Sequence, residues 1–177
     1  MIIRATSKLL SVSRISPVKN DSLIADSFPG EWYANILSTG RVGKPAIHFL
    51  HYPTMITIIY IGKSLKQGVA VLPERASALL KRNDFSSLTE RYQLYSLPEI
   101  YTTNNRFVLG NMNQMKFLIE DMLAETLELS ENNVARIEDL MLEYLVGGKI
   151  AGKNSYVSPL KILKGNISQV NIRPVSL

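Results

Sequence analysis

The alternation of apolar and polar positions changes character several times along the chain. Ile2 to Ala5 reads as a short strand that turns at Thr6 into a helical turn. Residues 11–31 are polar and broken by Pro17, Asn20-Asp21 and Pro29-Gly30, the composition of a loop. Three β-branched and aromatic segments follow, Trp32 to Ser38, Ala46 to His51 and Met55 to Ile61, separated by turn residues, and Gln67 to Leu72 makes a fourth. Connections this short join antiparallel neighbours, because a parallel crossover needs a much longer link.

The second half turns helical. Pro73-Glu74-Arg75 reads as a helix start that Ala76 to Arg82 continue, since proline suits a first turn. Leu88, Tyr92 and Tyr95 keep a helical spacing that Pro98 ends, and a short strand is expected around Phe107-Val108-Leu109. Met115, Leu118, Ile119, Met122 and Leu123 form one helical stripe; Val134, Ile137, Leu140, Met141, Tyr144 and Leu145 form another. Ser130 suits the cap of the second helix, and Gly147-Gly148 suit its close. The expected fold is α+β: an antiparallel sheet over residues 32–72, covered by helices from 73–96 and 112–146, the latter an αα-hairpin. Residues 1–177 are read as a single domain with no internal repeat, its last ~30 residues irregular and basic.

Composition narrows the class. Hydrophobic residues make up 46% and charged residues 20%, ordinary globular values that exclude a disordered, collagen-like or rod-like chain. The absence of cysteine excludes disulfides, thiolate zinc sites and a cysteine nucleophile, and fits a reducing compartment. Met1 leads into Ile2-Ile3-Arg4 without signal-peptide character. The longest apolar run, Met55 to Ile61, is far short of the ~20 residues that span a bilayer. A soluble, cytoplasmic protein that does not enter membranes is expected.

Charge adds a pattern to the sum of +5. Residues 1–20 carry Arg4, Lys8, Arg14 and Lys19 and no acid, and residues 147–177 carry Lys149, Lys153, Lys161, Lys164 and Arg173 and no acid. Residues 107–146 hold eight acids against Lys116 and Arg136. Basic ends beside an acidic middle are either a nucleic-acid footprint, with Arg4, Lys8, Lys149 and Lys153 as its contacts, or two halves that neutralise each other within the fold.

The stretch Thr102 to Asn113 runs into a helix start, where unpaired N–H groups suit a phosphate or carboxylate. Asn104, Asn105, Arg106 and Asn113 would frame that ligand. The plainer alternative has Asn111 or Asn113 capping the helix, Asn104-Asn105 making a turn and Arg106 pairing with an acid. His48 and His51, three apart on a strand, face opposite sides of the sheet and cannot share a metal; they read as half-buried sheet residues. Trp32 and Tyr33 offer either a base-stacking surface or a core anchor, and core is expected for at least one of them, with the indole N–H bonded nearby. Gly40-Arg41-Val42-Gly43-Lys44 falls short of a phosphate loop because Pro45 replaces the hydroxyl residue, and a turn is expected there. The acid pairs Glu120-Asp121 and Glu138-Asp139 read as solvated helix faces. No metal site and no cofactor is expected.

Three segments carry a resemblance: Arg4-Ala5-Thr6-Ser7-Lys8-Leu9-Leu10, Trp32-Tyr33-Ala34-Asn35-Ile36-Leu37, and Thr103-Asn104-Asn105-Arg106 with Val108-Leu109-Gly110 and Met112-Asn113. In this order they resemble a domain-of-unknown-function family of small bacterial proteins, some fused to plasmid Orf-3-like domains. The resemblance spans roughly residues 1–150 and implies a mobile-element setting without implying an activity. Phe107 and Gln114 depart from the serine and acid usual there, which removes two groups capable of chemistry. Two functions follow as expectations. One is a non-catalytic interaction module binding nucleic acid or a protein partner through the basic ends. The other is an enzyme or small-ligand protein with its anion site at Asn104–Asn113.

Overall fold

The computed structural model describes residues 1–19, 28–150 and 153–165. The expected α+β class holds, and the sheet is mixed. Five strands lie in the order β4 (Thr57–Ile61), β3 (Ala46–Tyr52), β2 (Glu31–Leu37), β1 (Ile2–Ala5) and β5 (Glu99–Thr102). β2, β3 and β4 form the expected antiparallel meander, whereas β1 pairs parallel to both β2 and β5. The antiparallel register places Ala34 opposite Phe49 and His48 opposite Ile59. Between β1 and β2 runs α1 (Ser7–Ser13), capped by Thr6, whose hydroxyl accepts from the Leu9 N–H. Gly30, just before β2, has φ +71°, and a Cβ there would come within 2.2 Å of the Tyr52 carbonyl oxygen, so only glycine fits.

Residues 67–72 belong to α2 (Leu65–Arg82) and not to a fourth meander strand. The β-branched residues Val69 and Val71 invite a strand reading. The longer spacing of Leu65, Val69, Leu72, Ala76, Leu79 and Leu80, all buried, is a helical stripe and prevails. Pro73 therefore lies inside the helix and does not begin it; Ser64 caps the start through the Gln67 N–H. A 3-10 segment follows over Ser86–Tyr92, burying Leu88 and Tyr92 while Tyr95 faces solvent.

Two helical layers enclose the sheet. On one face α1, α2 and the 3-10 segment cover Ile3, Ala5, Trp32, Ile47, Phe49 and Ile58. On the other, α3 (Arg106–Glu125) and α4 (Glu131–Met141) cover Tyr33, Leu37, Ala46, Leu50, Tyr52 and Ile59. This is the expected αα-hairpin, with Ser130 capping α4 through the Asn133 N–H. Helix α3 starts earlier than its apolar stripe indicated, and Phe107 to Leu109 are helical: Val108 and Met112 extend the stripe of Met115, Ile119 and Leu123 back to the cap. Leu140 is 61% exposed and falls outside the α4 stripe. Gly147 and Gly148 lie in a strand and do not close a helix. The expected irregular tail holds β6 (Val146–Ile150), β7 (Lys153–Val157) and α5 (Pro159–Lys164). β6 and β7 pair antiparallel as a separate two-stranded ribbon.

Both histidines are fully buried, beyond the half-burial expected, and face opposite helical layers. His48 Nε2 lies 3.2 Å from Thr57 Oγ1, and its Nδ1 has no partner among the described residues. His51 Nε2 donates to the Pro29 carbonyl at 2.9 Å, which leaves Nδ1 to accept from the Thr54 hydroxyl at 2.7 Å. The Tyr92 hydroxyl donates to Thr54 in turn. Burial lowers the pKa of each imidazole from 6.5 to about 3. Between these values the unfolded chain binds the protons and the folded chain does not. The stabilisation is therefore complete above pH 6.5 and is lost as the pH falls through this window. Urea unfolding is expected to show at least about 2 kcal/mol less stability at about pH 5 than at about pH 7.5; equal midpoints would contradict neutral buried histidines.

Candidate functional site

The polar chemistry of the α3 face centres on β1. Arg4 lies in register between Tyr33 of β2 and Tyr101 of β5. Its side chain is 1% exposed and that of Glu31 is 0% exposed. Arg4 Nε donates to Glu31 Oε2 at 2.6 Å and Nη2 donates to Oε1 at 2.9 Å, a two-pronged ion pair. The Tyr33 hydroxyl donates to Glu31 Oε2 at 3.0 Å. Burial pushes the Tyr33 pKa up, and the adjacent Glu31 charge adds to the effect, so the phenol stays a neutral donor. The Arg4 guanidinium carbon lies 5.5 Å from the Tyr101 ring centre, whose hydroxyl donates to Glu99 at 2.5 Å.

Asn105 connects this cluster to α3. Its side chain engages the Tyr33 hydroxyl, and its Oδ1 accepts from the Phe107 and Val108 N–H groups at 3.0 and 3.3 Å. Asn105 is therefore the helix cap, the role assigned in sequence to Asn111 or Asn113, and it is only 7% exposed. Two N–H groups of the expected anion site are already satisfied by the protein. Asn104, Arg106 and Asn113 are exposed, and Arg106 and Asn113 share the outer face of α3, two turns apart. Arg106 has no ion pair among the described residues. The four expected ligand residues thus separate into a buried cap and an exposed face.

The nucleic-acid set divides as well. Arg4 is committed to the buried ion pair and cannot contact a nucleic acid; a cation on a strand with a carboxylate partner on the next strand is a core element. Lys8 is exposed on α1. Lys149 and Lys153 lie at neighbouring ends of β6 and β7, where Lys149 pairs in register with Asn154 and Ile150 with Lys153. Arg173 lies outside the described residues. Asn111 docks that ribbon: the Gly147 N–H donates to Asn111 Oδ1 at 3.1 Å and the Asn111 amide donates to the Gly147 carbonyl at 3.4 Å.

Trp32 is core, as expected for one of the aromatic pair, and Tyr33 is core too, so neither offers a stacking surface. The indole N–H, expected to be bonded, has no partner among the described residues. The Gly40–Lys44 loop is a turn, and Arg41 donates from it to the Leu123 and Thr126 carbonyls at the end of α3. Glu138 departs from its expected solvated position: 1% exposed, it accepts from Arg75 and Arg82 and from the Ile59 N–H, each at 2.9 Å. Its place beside Ile137 and one turn before Met141, on the buried face of α4, was the signal available in sequence. Asp139 accepts from Arg82 Nε at 2.7 Å. Among the described residues, no group of three or more His, Asp or Glu side chains could hold a metal ion, and no helix is long and apolar enough to cross a membrane.

An α+β sheet enclosed by two helical layers, with its polar core at the start of the chain, defines the class of protein. The chain belongs to the family described as Domain of unknown function (DUF6933), whose model matches residues 2–162. No curated protein and no solved structure matches it.

If Asn105 is a structural cap, Asn105→Ala costs about 1–2 kcal/mol of unfolding free energy, whereas Arg106→Ala stays within about 0.5 kcal/mol. Equal effects of the two substitutions in urea titrations would contradict this division.

Proposed function

We propose that this protein is a non-catalytic, cytoplasmic nucleic-acid-binding module that contacts its target through the β6–β7 ribbon. One observation carries the reading: the two-stranded ribbon stands outside the main sheet, with Lys149 near the end of β6 and Lys153 at the start of β7. A two-stranded β-ribbon has the dimensions to enter a major groove. The helix α5 that follows adds Lys161 and Lys164, both exposed, and residues 144–177 contain no acid to repel phosphates. The Asn111–Gly147 bonds fix the ribbon's base to α3. Exposed Lys8 on α1 is a further candidate contact, and buried Arg4 is not part of this surface.

A second reading rests on Arg106, exposed at the start of α3 and without an ion pair among the described residues, as an anion contact. Labelled DNA and RNA titrated at two salt concentrations separate the two. Replacing Lys149, Lys153, Lys161 and Lys164 by alanine is expected to weaken binding at least about tenfold and to lower the salt slope by about three to four, because each phosphate contact contributes nearly one unit. Arg106→Ala is expected to leave binding unchanged. Binding that ignores both salt and the lysines, or none at all, would overturn the nucleic-acid reading and turn the search toward a protein partner.

A further inference from the structure

A cleft of about 430 Å³ opens between α2, α4 and the end of edge strand β4, on the side of the molecule defined by Glu138. This volume falls within the range of small-molecule sites. Its floor is the ion-pair group described above. Glu138 and Asp139 together are matched by Arg75 and Arg82, so the charges there cancel. Arg75 uses Nη2 for Glu138 and is 21% exposed; among the described residues its Nη1 has no acceptor, and its Nε is buried and likewise unpartnered. Three further polar residues line the cleft without any hydrogen bond or ion pair among the described residues: Glu74 from α2, and Glu131 and Asn132 from α4. Val71, Ala78, Leu129 and Val134 give the same cleft an apolar wall.

The unused groups are of both kinds. Arg75 Nη1 and the Asn132 amide are donors for an anion, while Glu74 and Glu131 are carboxylates for a cation. A ligand of one sign would leave the opposite set unanswered and face repulsion from it. A metal ion does not fit, since no suitable group of three ligands exists among the described residues. From this arrangement we infer that the cleft binds a small zwitterion, a free α-amino acid with an apolar side chain. Its carboxylate meets Arg75 and Asn132, its ammonium meets the Glu131 and Glu74 carboxylates, and its side chain lies against Val71, Ala78, Leu129 and Val134. The inference is independent of the nucleic-acid reading, because neither the ribbon nor α5 lines the cleft.

Calorimetric titration of the whole chain with leucine, with 4-methylpentanoate and with 3-methylbutylamine tests it. The two analogues lack the ammonium and the carboxylate respectively. Leucine is expected to bind saturably and each analogue at least about tenfold more weakly, a difference of about 1.4 kcal/mol. Glu131→Gln and Asn132→Ala, both at exposed positions, are expected to weaken leucine binding at least about fivefold while leaving the thermal midpoint of the free protein unchanged. Binding of either analogue as tight as that of leucine would overturn the zwitterion assignment. Absence of saturable leucine binding, or leucine affinity unaffected by both substitutions, would overturn the site.

Discussion

The ion pair between Arg4 and Glu31 is the constraint on which the rest of the arrangement depends. Two charges removed from water are destabilising unless each meets a well-aligned partner and its remaining hydrogen-bonding positions are answered. Here both prongs of the guanidinium edge meet both carboxylate oxygens, and Tyr33 supplies a third donor to Glu31. That geometry requires β1 beside β2 in the observed register, and it requires a neutral Tyr33. Asn105 touches the same tyrosine while capping α3, so the helix that covers this face is tied to the ion pair at its first turn. Arg4 of the opening segment, Tyr33 of the Trp32–Leu37 strand and Asn105 of the Asn104-Asn105-Arg106 stretch, far apart in sequence, meet in one buried cluster. The residues that carry the family resemblance are to this extent scaffold.

The same economy recurs at the sheet's edge. Strand β4 has one neighbour, and an unpaired edge N–H invites pairing with another chain. Glu138 reaches from α4 to accept the Ile59 N–H while holding Arg75 and Arg82 of α2. One buried carboxylate thus covers part of the edge strand and joins two helices that lie on different layers of the fold. Part of the acidic middle of the sequence is neutralised inside the molecule by α2, whereas Lys161 and Lys164 of α5 are exposed and form no ion pair among the described residues. Asn111 performs the corresponding task for the ribbon, since one side chain answers both the N–H and the carbonyl of Gly147.

What could be read in the sequence follows from the range of the forces involved. The meander of β2, β3 and β4, the Thr6 turn, the stripe of α3 and the Ser130 cap are set by local periodicity and capping, and they were legible. Residues 67–72 misled because Val69 and Val71 favour strands locally, whereas the stripe that decides the helix needs sixteen residues to show, from Leu65 to Leu80. The parallel pairing of β1 with β2 and β5 depends on contacts across most of the chain, with no local mark. Arg4 looked like a surface cation because its partner lies twenty-seven residues away. Asn105 is legible as part of a special stretch, yet its capping role is not, because the apolar stripe shows clearly only from Met115, the tenth residue of the helix. The cleft was invisible for the same reason: Arg75 and Glu138 meet only in space.

The central claim, that Arg4 and Glu31 act as one buried unit, is tested most directly by a double-mutant cycle of unfolding free energies with Arg4→Met and Glu31→Leu. Each single substitution strands a buried charge and is expected to cost about 3–5 kcal/mol, while the double substitution removes both charges and costs far less than the sum. Two single losses that simply add in the double variant would contradict the account.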